Sequence, residues 1–365
     1  MLEVSGLSVS AGAFFLSDIS LAVERSSCHV ILGPTGSGKT VLLESIIGLK
    51  RVHTGTVTLD GVDITHLPIE RRGLSYVPQD LALFPHMSVR ENILYPLRIG
   101  NELPRLANGM VKELIESLGI RKILDRSIRN LSGGELQRAA LARAVASGRH
   151  YLVLDEPLSS LHESLKRELW YRLKDLQRKY HLAILMVTHD LEEAFFLGDT
   201  ISIILDGKLH QQGSKRDVYD RPRNAEVARF LGIGNLFNAR SEGFDGNSSR
   251  VYSEELGTTL RLSDPGIGSS VTGEKPVVIG IRPEHVAIVT PGEARHQANN
   301  VIEGAIRAVF DNGATLTVIA ACGPSSTSVE MTIPRSMHEK LRLEGGESIS
   351  FRFPEKNLFL IAEPE

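Results

Sequence analysis

The octapeptide Gly33-Pro34-Thr35-Gly36-Ser37-Gly38-Lys39-Thr40 constrains this chain more than any other feature. It fits G-x-x-x-x-G-K-[ST], follows the apolar run Cys28 to Leu32 and leads into a helical pattern over residues 41–47. Strand, glycine-rich loop and helix in that order make a phosphate cradle. Glycines let the backbone curl until successive N–H groups point at phosphate oxygens, and the helix N-terminus adds its dipole. In such a loop Lys39 reaches the β- and γ-phosphates of a nucleotide, and Thr40 offers its hydroxyl to Mg²⁺. A second apolar run, Tyr151-Leu152-Val153-Leu154, ends in Asp155-Glu156-Pro157. Side chains alternate along a strand, so Asp155 is expected to face the magnesium shell and Glu156 the attacking water.

Up to about residue 230, β-branched runs (30–32, 56–59, 151–154, 183–187, 201–205) alternate with helical patterns (38–48, 107–118, 133–146, 160–180). In the last helix Leu161, Leu165, Leu169, Leu173 and Leu176 recur at helical spacing among Lys166, Arg167, Lys174 and Arg178, so one face lies on a core. Alternating strands and helices predict a largely parallel sheet covered on both faces. Beyond residue 232 Gly, Ser and Thr accumulate and short alternating runs appear at 277–281, 302–309, 315–319 and 348–353. That texture predicts an all-β domain, a small barrel. The expected organisation is an α/β P-loop NTPase domain over 1–232 and an all-β domain over 233–365. Charge shifts at the same place. Residues 1–235 hold 29 basic and 27 acidic residues, whereas 236–365 hold 12 and 17.

The net charge of -3 carries no basic excess for a dedicated nucleic-acid binder. No apolar run approaches the roughly 18 residues of a membrane helix. The first basic residue is Arg25, so the amino-terminal stretch lacks the charged region of a secretory signal. Cys28 and Cys322 lie far apart and form no ligand cluster, which fits buried thiols in a reducing compartment.

Leu131-Ser132-Gly133-Gly134-Glu135-Leu136-Gln137-Arg138 lies shortly before the Asp155-Glu156 strand and resembles the signature of ABC-transporter ATPases. Gln79, in Val77-Pro78-Gln79-Asp80, resembles the Q-loop glutamine of that family, and His189, in Thr188-His189-Asp190, its switch histidine. The resemblance implies two copies paired head to tail, with each ATP between the phosphate loop of one and Ser132, Gly133 and Gly134 of the other. It implies that Glu156 is the general base, that His189 contacts the γ-phosphate, and that Thr40, Gln79 and Asp155 hold Mg²⁺. Catalysis is then mostly positioning and charge neutralisation. Two positions depart from the pattern. Where the family has an adenine-stacking aromatic this chain has Ser10, with Phe14 and Phe15 nearby, and where the family reads S-A-L-D it has Ser159-Ser160-Leu161-His162.

The stretch Leu83 to Asn92 resembles the segment by which importer ATPases dock membrane subunits. Gly280-Ile281-Arg282-Pro283-Glu284-His285-Val286 resembles their C-terminal accessory barrel, an OB-type fold. Within importers, residues 38–44, residues 63–72 and the single barrel pattern resemble molybdate/tungstate ATPases most, with sulfate, ferric-iron and polyamine systems as alternatives. The resemblance implies integral membrane permease subunits, an extracytoplasmic substrate-binding protein, a place on the cytoplasmic face of the membrane and no nucleic-acid partner. A reading from a different class is a soluble ABC ATPase of DNA repair or translation. Those relatives carry two tandem halves or a long coiled-coil insertion, and this chain has neither. In some members of the molybdate/tungstate family the barrel binds oxyanion through a motif close to S-A-R-N, matched here by Gln297-Ala298-Asn299-Asn300. Without the arginine the domain is expected to be mainly structural.

Overall fold

The computed structural model describes residues 1–12, 14–99, 109–159, 161–245, 248–263, 275–289 and 299–362. The chain divides into two compact units, Met1–Arg216 and Asp217–Glu365. In chain order the first runs β1 (Leu2–Ala11), β2 (Phe14–Val23), β3 (Cys28–Leu32), α1 (Lys39–Ile47), β4 (Thr54–Leu59), β5 (Val62–Asp63) and β6 (Leu74–Val77). It continues with α2 (Val89–Ile99), α3 (Met110–Leu118), α4 (Gly133–Ala146), β7 (Tyr151–Asp155), α5 (Glu163–Tyr180), β8 (Ala183–Thr188), α6 (Leu191–Leu197), β9 (Thr200–Leu205) and β10 (Lys208–Ser214). The patterns expected at 107 and 160 begin outside the described residues.

The central sheet has the order β10-β9-β3-β8-β7-β6. Its pairs are parallel except β9–β10. Every residue of β3, β7 and β8 is buried, as strands covered on both faces require. A separate antiparallel sheet, β2-β1-β4-β5, was not anticipated. In β1 buried and more exposed residues largely alternate, the signature of a sheet with one face to solvent. One core joins the two sheets through Leu7, Leu16, Ile31, Leu43, Val153 and Leu185.

Helix α1 sits in this core and both of its ends are fixed. Gly38 and Gly48 cap it with φ of 94° and 91°. A Cβ on Gly38 would stand 2.3 Å from the Phe14 ring, so glycine is required there both by conformation and by space. At the other end buried Arg72 donates to the Ser45 and Ile46 carbonyls at 2.9 and 2.7 Å. That places a cation on the negative end of the helix dipole.

The second unit carries two five-stranded antiparallel sheets around one core, the OB-type arrangement expected. Phe237, Val251 and Ile279 from one sheet meet Ile306, Val318 and Met331 from the other. The units divide at Arg216/Asp217, ahead of the change in texture at 232. The helix Ala225–Phe230 explains the offset, because Ala228 packs with Ile233, Val278, Phe359 and Ile361 of the second unit. The Arg282-Pro283-Glu284 motif reinforces it. The Arg282 guanidinium lies 3.6 Å over the Tyr219 ring and donates to the Tyr219 carbonyl at 2.7 Å. The Tyr219 hydroxyl donates to Glu284 at 2.6 Å.

Asn300 ties three segments of this unit together. Its Oδ1 accepts from the Arg261 N–H at 2.7 Å, and its Nδ2 donates to the Arg261 and Phe353 carbonyls at 2.7 and 2.9 Å. Its φ is 62°, a left-handed conformation that asparagine tolerates. Asn300→Ala strips three hydrogen bonds and strains the backbone, at an expected cost of about 2–3 kcal/mol. Urea unfolding of the second unit checks this; an unchanged midpoint would remove Asn300 from the framework.

Candidate functional site

The loop between β3 and α1 is shaped by contacts that exclude side chains. A Cβ on Gly33 would lie 2.2 Å from the Ile204 carbonyl of β9, and Gly36 has a φ of 86°. Lys39 folds back into the loop and is 4% exposed. Its Nζ donates to the Gly33 and Pro34 carbonyls, both at 2.9 Å, and stands 4.0 Å from Glu156 Oε1. Burial lowers the Lys39 pKa, while the charges of Glu156 and Asp155 oppose that shift. Beside it the buried Ser37 Oγ has no protein partner. A cradle with a confined cation and an orphaned hydroxyl fits a phosphate oxyanion.

Asp155 closes β7 with its carboxylate against this loop. Its Oδ1 accepts from Thr40 Oγ1 at 3.2 Å. Burial raises the Asp155 pKa and the Thr40 hydroxyl pulls it back down. Hydroxyl and carboxylate are hard oxygen ligands, and Mg²⁺ takes few of these from protein, completing its shell with phosphate and water. The described residues contain no group of three or more His, Cys, Asp or Glu placed to hold a metal.

Glu156 diverges from Asp155 for a reason that differs from the expected alternation. The strand ends at Asp155, and Glu156 adopts a φ of 42° while its N–H donates to the Val187 carbonyl at 3.0 Å. The left-handed backbone, rather than the strand pleat, aims the carboxylate at His189 Nδ1, 3.2 Å away. Such a conformation in a non-glycine residue costs about 1–2 kcal/mol and is retained where function requires it.

His189 lies between β8 and α6 in a hydrogen-bonded frame that the sequence reading missed. Asp190 caps α6 through the Glu193 N–H at 3.2 Å and accepts from Lys166 Nζ at 2.9 Å. Thr188 Oγ1 accepts from the Asp190 N–H at 3.0 Å and donates to the buried Glu193 carboxylate. An Asp-x-x-Glu capping spacing was the available signal.

Gln79 lies in the exposed turn after β6. Val77 pairs with Leu154, so that turn leaves the sheet beside the Asp155 end of β7. Ser132 is the N-cap of α4 in a capping box, its N–H and hydroxyl donating to Glu135 at 2.8 and 2.9 Å. Among the described residues no hydrogen bond or ion pair links Ser132, Gly133 or Gly134 to the phosphate loop. A Cβ on Gly133 or Gly134 would meet its nearest neighbour at 3.4 or 3.7 Å, ordinary contacts. Nothing within the chain demands these glycines, and glycine costs a helix about 1 kcal/mol relative to alanine. Lys39, Thr40, Asp155, Glu156 and His189 are thus brought together, and the signature stands apart from them.

Ser10 hydrogen-bonds His53 at 3.3 Å and pairs across the strands with Phe15, which is 53% exposed. Phe14 is committed to the loop at Gly38. His162 is the exposed N-cap residue of α5. In the 83–92 stretch buried Asn92 organises the backbone, accepting from the Phe84 N–H at 2.8 Å and donating to the Phe84 and Ser88 carbonyls. Phe84 packs on Tyr95 with ring centroids 4.3 Å apart. Both line a groove of about 880 Å³ that also meets Leu49, Ile69 and Ile99. Of the C-terminal Gln297–Asn300 motif, residues 297 and 298 lie outside the described residues. Asn299 donates to Glu355 at 2.6 Å.

Burial raises the Glu193 pKa from 4.5 to about 7, against the hydrogen bond from Thr188. A raised carboxyl pKa contributes stability that is fully present below about pH 4.5 and is lost as pH rises through about 7. Glu193→Gln should remove this dependence and melt at a higher temperature than wild type above pH 7. Parallel melting curves from pH 5 to 8 would refute the shift.

The ABC transporter family pattern matches residues 16–159. The chain is 38% identical over 354 residues to a molybdate/tungstate import ATP-binding protein of Pyrococcus horikoshii, covering 97% of each. It is 35% identical over 297 residues to a spermidine/putrescine import ATP-binding protein of Aggregatibacter actinomycetemcomitans, covering 81% of this chain and 79% of that one. A dimeric bacterial ABC transporter cassette superposes with a TM-score of 0.52 at 24% identity, over 59% of this chain and 99% of its own. With its phosphate loop, paired carboxylates and separate signature helix, the chain belongs to the ATP-binding proteins of the ABC transporter family.

Proposed function

We propose that this chain is the ATP-hydrolysing subunit of a membrane importer for molybdate or tungstate, working as a head-to-tail pair on the cytoplasmic side of the membrane. The observation that carries the reading is the convergence of Lys39, Glu156 and His189, with contacts of 4.0 and 3.2 Å, beside Thr40 and Asp155. Gly33 to Thr40 bind the phosphates, and Lys39 leaves its own carbonyls for them. Glu156 accepts a proton from the attacking water, and His189 orients the γ-phosphate. Mg²⁺ held by Thr40 and Asp155, with Gln79 nearby, neutralises phosphate charge when bound. Phe15 offers the base an exposed ring face where Ser10 offers none.

The spare room at Gly133 and Gly134 supports the pairing, since a second chain's nucleotide is what would approach them closely. The apolar groove at Phe84 and Tyr95 is suited to a membrane subunit. Among the described residues no helix is long and apolar enough to cross a membrane, and in this reading the pore belongs to other subunits. The substrate rests on the relative from Pyrococcus horikoshii, with polyamine as the second reading on the relative from Aggregatibacter actinomycetemcomitans. The C-terminal unit is mainly structural in this reading. Asn299 and Asn300 already serve internal acceptors, and Glu355 adds a negative charge beside Asn299.

Proteoliposomes containing the chain and its membrane and binding-protein partners test the proposal. ATP should drive uptake of labelled tungstate. Glu156→Gln, nearly isosteric, should abolish uptake and hydrolysis while trapping an ATP-bound dimer visible by light scattering. Wild-type hydrolysis by Glu156→Gln would refute the base assignment, and uptake of spermidine without tungstate would replace the substrate.

A further inference from the structure

The turn after Gln79 is strained, and one cation holds it. Leu81 and Ala82 are consecutive residues with φ of 64° and 43°. Neither is glycine, asparagine or aspartate, the residues that visit this region readily. The turn satisfies its own amides, Leu81 N–H donating to the Pro78 carbonyl at 2.9 Å and Ala82 N–H to Asp80 Oδ1 at 3.2 Å. Its outward carbonyls are both taken by Arg143 of α4. Nη2 donates to Leu81 O at 2.8 Å and Nη1 to Ala82 O at 2.6 Å. The same guanidinium lies 5.5 Å from the Phe84 ring centroid. Burial lowers the Arg143 pKa and the Asp80 charge opposes this. Among the described residues no ion pair within 4.0 Å involves Arg143, so its fork is spent on the two carbonyls.

We propose that Arg143 is a positioning residue, fastening the Leu81–Ala82 turn to the helix that presents the Ser132 signature. The planar fork gives each carbonyl its own N–H at a fixed spacing, a geometry that a lysine ammonium on a differently shaped stem does not reproduce here. Arg143 lies ten residues beyond Gly133, about 15 Å along a rigid helix. The same end of α4 is tied to β6, where Ser75 donates to the Ala144 carbonyl at 3.0 Å. The turn is thereby fastened to the end of α4 that the central sheet also holds. Ala82, Phe84 and Arg143 also line the apolar groove. The proposal rests on the reading of Gln79 and Ser132 as groups that face ATP.

The test uses the full chain carrying Arg143→Met, Arg143→Lys, and Arg143→Met combined with Leu81→Gly and Ala82→Gly. Arg143→Met should lower kcat about tenfold, a change of about 1.4 kcal/mol in the barrier, with KM for ATP within about twofold because the phosphate loop is untouched. Arg143→Lys should not restore it. The two glycines remove the strain the clamp opposes and should recover most of the lost kcat. Amide hydrogen exchange supplies a readout independent of turnover: residues 79–84 should exchange faster in Arg143→Met while β3 is unchanged. If wild type hydrolyses no ATP, the functional reading fails and exchange alone judges the clamp. Wild-type kcat with unchanged exchange in a folded Arg143→Met, or rescue by lysine, would overturn the proposal. So would a loss of kcat that the glycines leave untouched, since that is what a merely structural arginine gives.

Discussion

A buried ammonium group organises the ATPase unit. Lys39 sits in a loop whose amides and glycines are arranged for an oxyanion, and its Nζ is held by the Gly33 and Pro34 carbonyls. A charge this deep is tolerated because carbonyl dipoles satisfy it and carboxylates lie close. The surrounding packing serves that placement. Arg72 and two left-handed glycines fix α1, the all-buried strands deliver Asp155 and Thr188 to the same edge, and the Ile204 carbonyl of β9 closes on Gly33. In the proposed reading, phosphate takes the place of these carbonyls as the partner of Lys39.

Much of this was legible from sequence because it depends on local pattern. The phosphate loop, the acidic strand end, the signature and the switch histidine each combine a turn or cap with a period of 2 or 3.6. The central strands were legible for the same reason. What was not legible depends on long-range contact or on backbone conformation. The separation of Asp155 from Glu156 looked like strand alternation and is produced by a φ of 42°. The β1–β2–β4–β5 sheet is a tertiary pairing that the parallel pattern hid. Arg143 belongs to no motif, and its two hydrogen bonds go to carbonyls more than sixty residues earlier. Asn300 stood in a motif that suggested ligand binding, and its amide is occupied by Arg261 and Phe353.

The two halves of the proposed ATP site are built differently. The phosphate-loop half is dense with internal contacts, whereas the signature half is a helix start with Ser132 and Gly133 exposed and Gly134 buried, where a Cβ on either glycine would make only ordinary contacts. A surface feature that costs helix stability without an internal reason points outward. This asymmetry follows if each chain supplies one half of two sites. The second unit has its own fastenings, the tied asparagines and the Arg282–Tyr219 contact.

The most direct test is the dependence of ATP turnover on protein concentration for the isolated chain. If the site needs Ser132 and Gly134 of a second copy, turnover per chain falls as the protein is diluted, and the fall coincides with dissociation of the ATP-bound dimer measured by sedimentation. A turnover per chain that stays constant down to concentrations where the ATP-bound protein sediments as a monomer would contradict the account.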